Sequence, residues 1–225
     1  MDPNRTRRRA ATLVLKSAGF EIAAVDDLRA AIAELQRRPI EMILLDDTFI
    51  AQAPDLLAVA TSPTALIIFS NMSVHQAKTL FDRSSIALIP HPIRIADYVA
   101  YAAMAISLRQ AADVGMIDPT VAMELLCVAG KHRQASAVVA RFGDEALALM
   151  SDLQHALSCQ DDAGMRAAMH KLKGAAGGVG ALQFMQEVDN MERAMQDSAP
   201  SIGHLHALLE MSCAALNNAA LAAYG

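Results

Sequence analysis

Aromatic side chains are almost missing from this chain. Tryptophan is absent, and three tyrosines and six phenylalanines leave an aromatic content of 4% against an apolar content of 54%. A core must then be built from alanine, leucine, methionine and valine, which favours closely packed helices over a β-sandwich. Cysteine is scarce too. Cys127, Cys159 and Cys213 are far apart and odd in number, which excludes a disulfide or metal framework and predicts buried helical cysteines in a reducing compartment. No apolar run reaches the roughly 18 residues of a membrane span. The N-terminus is polar and arginine-rich, unlike a signal peptide. These absences predict a cytoplasmic protein without membrane contact. A basic excess is also lacking: the net charge is −5, so no general affinity for nucleic acid is expected. The cluster Arg5, Arg7, Arg8 and Arg9 reads as the solvated face of a first helix rather than a nucleic-acid arm. His204 and His206, two apart, point to different sides of a helix and make no metal pair.

What is present falls into two halves. The 225 residues suffice for two small domains. Residues 5–18 read as a helix ending before Gly19, and Glu21 to Val25 as a short strand. Asp26 or Asp27 can cap a helix to about Arg38, with Pro39 behind it. Ile40 to Leu45 is an apolar strand ending at Asp46 and Asp47. A short helix follows Pro54, and Ala65 to Phe69 is a second buried strand ending at Ser70 and Asn71. A helix over 73–82, a strand over 86–89, a turn at Pro90-His91-Pro92 and a long helix from Arg94 to Ala112 complete this half. Strands alternating with helices predict an open parallel α/β sheet over 1–110. Residues 111–118 read as a linker. No strand pattern appears in 119–225, where helices are expected at about 119–130, 134–158, 161–178, 181–197 and 201–222. Short connections between such helices predict an antiparallel bundle.

The stretch from His170 to Ala181 is the most informative. With about 100° per residue, Met165, Ala168, Met169, Ala175, Ala176 and Val179 fall within about 60° of Leu172 and form one apolar stripe. His170 lies about 160° away, near the middle of the opposite face. Gly174 and Ala167 flank it, and Arg166, Lys171 and Lys173 form a basic rim. Gly174 costs roughly 1 kcal/mol against alanine in a helix interior. An idle surface histidine does not explain that cost, whereas a docking partner does.

His170-x-Leu172-Lys173-Gly174 followed by Gly180-Ala181 resembles the histidine phosphotransfer (HPt) family, especially modules at the C-termini of hybrid sensor kinases. The resemblance covers about 115–225 and implies a four-helix bundle with an extra N-terminal helix. It implies that His170 accepts a phosphoryl group from a receiver aspartate and passes it to another receiver. Imidazole is largely neutral and nucleophilic at neutral pH, and phosphoryl transfer depends mostly on positioning and charge stabilisation. Lys173, one turn along, can meet phosphate or an acidic pocket. Gly174 removes a side chain from under the incoming group, and Lys171 steers or stays solvated. Glu192 is a candidate to orient the imidazole, with a plain surface glutamate as the equal alternative. The chain would be a phosphocarrier, not an enzyme, holding no cofactor or metal of its own. Its partners would be response-regulator receiver domains, which supply Mg²⁺, and a hybrid sensor kinase.

Residues 1–110 resemble a degraded response-regulator receiver. Met1-Asp2-Pro3-Asn4-Arg5 resembles the tail of the acidic turn after a receiver's first strand. Asp46 takes the phosphoacceptor position, Ser70 the hydroxyl position, and His91-Pro92 the usual Lys-Pro, with Pro92 a candidate cis residue. The first strand is absent, and His91 replaces the lysine. Asp2 and Asp46 alone make a poor Mg²⁺ site. The missing strand belongs in the middle of a flavodoxin-like 2-1-3-4-5 sheet, so its loss should force re-pairing or leave a gap. These departures favour a pseudo-receiver used for binding, domain placement or homodimerisation. Two other readings are a non-catalytic module that binds a receiver or kinase, and a fragment of a hybrid kinase with an active receiver at Asp46.

Overall fold

The computed structural model describes residues 1–60, 65–71, 76, 86–89, 94–95, 97–129, 132–194 and 202–224. The expected helix over 73–82, apart from Gln76, and the His91-Pro92 turn lie outside the described residues.

Helix α1 (Arg5–Ser17) starts where the Asn4 side chain accepts from the Arg7 N–H at 3.0 Å. It ends before Gly19, whose φ of +92° suits glycine. Helix α2 (Leu28–Arg37) is capped by Asp27, which accepts from the Ala30 N–H at 2.8 Å. Three strands follow: β1 (Met42–Asp46), β2 (Ala65–Phe69) and β3 (Ile86–Ile89). They form a parallel sheet in the order β1-β2-β3, with Asp46 opposite Phe69 and Phe69 opposite Ile89. A 3₁₀ turn over Asp47–Gln52 leads from β1 into helix α3 (Ala53–Val59), which has Pro54 in its first turn.

The strand expected over Glu21–Val25 is not formed; these residues run without regular structure. A strand needs a neighbour on the sheet, and the place beside β1 that would serve it is largely empty.

The sheet divides its apolar side chains by the two-residue alternation of strands. Ile43, Leu45, Leu66, Ile68 and Leu88 pack with α2 and α3. Ile67, Phe69 and Ile89 face the other way and join a larger core. There Phe69 packs on Tyr98, ring centroids 5.0 Å apart, at the start of helix α4 (Asp97–Asp113).

That larger core continues without interruption into the C-terminal half. Helices α5 (Pro119–Ala129), α6 (His132–Ser158), α7 (Asp162–Val179), α8 (Leu182–Ala194) and α9 (Ile202–Tyr224) follow in order. Helix α6 packs on α7 and α9, α7 on α8, and α8 on α9, while α4 packs along α9. Helix α5 lies against β3 and α4 as well as α6 and α7. Phe142 and Phe184 meet edge to face at 6.3 Å in the helical core. The chain is thus mostly helical, with a small parallel sheet in its N-terminal half.

The cysteines only partly follow expectation. Cys127 and Cys213 are half-buried on helices, and burial pushes the Cys127 thiol up to about 12. Cys159 is exposed in the turn after α6. The helix stops at Ser158, so Cys159 never reaches the packed face.

Candidate functional site

Asp161 caps α7 by accepting from the Gly164 N–H at 3.0 Å. The helix then runs through Gly177 and Gly178 to Val179 and ends at Gly180, whose φ is +74°. The Ala181 N–H bonds back to Ala176 O at 2.9 Å and Gly180 N–H to Gly177 O at 3.3 Å, the six-to-one and five-to-two closure of a left-handed helix end. Gly180 has a second duty. A Cβ there would stand 2.8 Å from the Asp118 carbonyl oxygen, so its bareness admits the start of α5.

Met165, Ala168, Met169, Leu172, Ala176 and Val179 are buried, and Ala175 is half-buried. His170 is exposed on the opposite face. No hydrogen bond or ion pair to its ring occurs among the described residues. Both ring nitrogens are therefore open to an incoming group. Gly174, one turn along, is exposed, and a Cβ built on it would meet nothing within 4 Å. The protein's own packing therefore does not demand glycine there. Lys171 is exposed beside the histidine.

Lys173 is placed differently from expectation. Its Nζ donates to Glu192 Oε2 at 2.6 Å and lies 2.9 Å from Asp189 Oδ1, both on α8. The hydrogen bond to Glu192 and then that to Asp189 raise its pKa. Glu192, a candidate partner for the imidazole, instead binds this lysine. Sequence reading missed Asp189, although its spacing of three from Glu192 puts both carboxylates on one helix face.

At the other candidate position, Asp46 ends β1 and is 4% exposed. Its Oδ1 accepts from the Thr48 hydroxyl at 2.8 Å and from the Thr48 N–H at 3.2 Å. Its Oδ2 accepts from Arg7 Nη2. The same guanidinium binds Asp2 through Nε and through Nη2 at 3.0 Å. Asp2 raises the Arg7 pKa, chiefly through that hydrogen bond. Ser70 is buried at the same sheet end, its N–H on Ile89 O at 3.0 Å. His91 lies outside the described residues.

The arginine cluster therefore needs correction. Arg5 and Arg9 are exposed, but Arg7 and Arg8 turn inward. Arg8 pairs with Asp26 at 2.7 Å. Arg7 also holds the Asp2 side chain. The carboxylates of Asp2 and Asp46 do not fit a divalent metal, because a guanidinium already fills the space between them. No cluster of three metal-ligating side chains occurs among the described residues. No helix among them is long and apolar enough to cross a membrane.

Residues 137–219 match the family model of the Hpt domain. The match spans α6 to α9, including His170 and its neighbours. Hpt domains serve two-component signalling, where they carry phosphoryl groups on histidine and interact with receiver domains and kinases; they are carriers, not catalysts. No match was found among curated proteins or among solved structures.

Proposed function

We propose that this protein is a phosphorelay carrier in which His170 accepts a phosphoryl group from a receiver aspartate and passes it to another receiver. The carrying observation is the state of His170: exposed, unpartnered, and opposite a buried stripe. A receiver seats over the face bearing His170, Lys171 and Gly174. The lone pair of Nε2 attacks the acyl phosphate phosphorus in line. A P–N bond forms as the P–O bond breaks, and the aspartate leaves as carboxylate. The partner supplies Mg²⁺, and this chain supplies position and positive charge. In this reading α6 to α9 are an antiparallel four-helix HPt bundle, α5 an added N-terminal helix, 111–118 a linker, and 1–110 a pseudo-receiver domain. The donor is a hybrid sensor kinase or its receiver.

Incubation with a phosphorylated receiver should place acid-labile, base-stable phosphate on the chain. His170→Gln should abolish that label while melting within about 0.5 kcal/mol of the parent, as an exposed substitution does. Equal labelling of the variant sinks the assignment.

A second reading concerns the N-terminal half alone, and the Arg7 bridge favours it. A carboxylate held by an internal guanidinium is a poor nucleophile toward phosphate, so residues 1–110 serve as an interaction module and not as an active receiver at Asp46. Acid-stripped, Mg²⁺-loaded protein treated with acetyl phosphate should stay unlabelled at Asp46.

A further inference from the structure

Helix α9 is apolar on two faces. Leu205, Leu209, Leu216 and Ala220 lead its buried face. At about 100° per residue, Ala207, Met211, Ala214, Asn218 and Leu221 fall within about 40° of the direction opposite Leu216. All five are exposed, Met211 to 46% and Leu221 to 54%. Glu210 is the one acid or base among the 23 residues of the helix, its two histidines aside. The neighbouring helices differ. Helix α6 exposes Arg141, Asp144, Glu145 and Asp152, and α7 exposes Asp162, Arg166 and Lys171. A helix that is apolar all round is one that is covered all round. Helices α4, α6 and α8 cover one side of α9, and among the described residues the other side lies open.

The open strip continues onto α6. A Cβ on Gly143 would stand 3.6 Å from Cys213 Sγ, which marks the side of α6 that meets α9. Ala140 and Leu147 lie one turn either way from Gly143 and about 40–60° further out on that side. Both are exposed, Leu147 to 46%.

We propose that two copies of this chain pair through α9, antiparallel about a two-fold axis at the level of Ser212 and Cys213. Spacing supports this occupant: positions 207, 211, 214, 218 and 221 step by four, three, four and three, the seam of a helix pair. Side-chain size supports it too. In that register Met211 of one copy meets Ala214 of the other, and Leu221 comes level with Gly203. Large residues face small ones, and each meeting occurs twice, as a two-fold interface requires. The five seam residues carry no charge, so two identical strips meet without repulsion. The area is sufficient. A helix of this length spans about 34 Å and is about 10 Å wide, so with the α6 shoulder each copy offers roughly 600 Å². Stable pairs bury about 600–1,000 Å² per partner. Helices α6 and α8 lie between α9 and α7. The pair therefore forms through the helical half, not through residues 1–110, and keeps both His170 faces on its outside.

The test is sedimentation velocity of the full chain over about 1–100 µM, which should reach twice the chain mass. Met211→Glu sets like charges across the seam and should weaken the pair at least about a hundredfold, with the far-ultraviolet circular dichroism unchanged. Ala214→Lys alone should weaken it as well. Together the two substitutions place opposite charges across the seam and should restore the pair. Leu13→Glu, on the exposed face of α1, should change nothing. The single-chain mass at every concentration overturns the proposal, and flotation of that monomer with phosphatidylcholine–phosphatidylglycerol vesicles would give the strip to a lipid surface. A pair that persists in Met211→Glu also overturns it, because the pair then forms elsewhere. Failure of the double variant to regain the pair overturns the antiparallel register.

Discussion

This chain has two candidate phosphoacceptor positions, Asp46 and His170, and the fold treats them in opposite ways. Asp46 is sunk at the end of β1, with Thr48 and Arg7 occupying both of its oxygens. His170 stands on the outside of α7, and no described residue takes either of its ring nitrogens. A phosphoacceptor needs a free lone pair and room for a partner, so the comparison separates a position that keeps only the residue type from one that keeps the access. The same contrast runs through the packing. Helix α7 buries six of its 18 residues, whereas α1 buries two of 13 and leaves Leu13 71% exposed. The helical half has a filled core, and the β1 edge of the sheet half does not.

The largest expected effect tests that difference directly. Phe184 is fully buried against Phe142, so Phe184→Ala should cost about 3–5 kcal/mol in urea unfolding. Leu13→Ala should cost almost nothing, and comparable losses would break the contrast.

Next comes pH. Between about pH 6 and 8 the unfolded chain holds a proton on Met1 that the folded chain has shed. Stability should therefore rise with pH across that window. Below it the full penalty of roughly 2–3 kcal/mol applies. A flat profile from this group, read by comparison with an amino-acetylated chain, argues against a buried amine.

Arg7→Met leaves Asp2 and Asp46 facing each other without a cation. A loss of about 1–3 kcal/mol in urea unfolding is expected, because the buried Asp46 Oδ2 loses its donor. Stability unchanged in that variant would show that the guanidinium does not hold this corner.

The smallest effect concerns Lys173. Asp189→Asn with Glu192→Gln should move Tm little, because these ion pairs are half-exposed and such surface pairs contribute little. Phosphotransfer to the double variant should change, since the lysine is released toward His170. An unchanged rate would make the α8 carboxylates bystanders to the transfer.

Much of this was legible in the residues. The 3.6-residue period put His170 opposite Leu172, and α7 shows that phase because both lie on one uninterrupted helix. Asp27, Asp161, Gly19 and Gly180 mark helix ends by local hydrogen bonding, which sequence expresses directly. Other features were not legible. Glu21–Val25 has strand composition, yet a strand forms only when a neighbour supplies hydrogen bonds. Arg7 looked like its exposed neighbours Arg5 and Arg9. Its partner Asp46 lies 39 positions away, and only the fold of β1 against the N-terminus joins them. Lys173 looked free because its two carboxylates sit on the next helix.

The sequence by itself determined the helices, the apolar strands and the face on which His170 sits, because each follows from spacing within one segment. Tertiary structure alone decided which charges meet. It locked Asp46 with Arg7, tied Lys173 to Asp189 and Glu192, and left a cavity beside β1. Those outcomes depend on distances between segments remote in the chain, which no local pattern encodes.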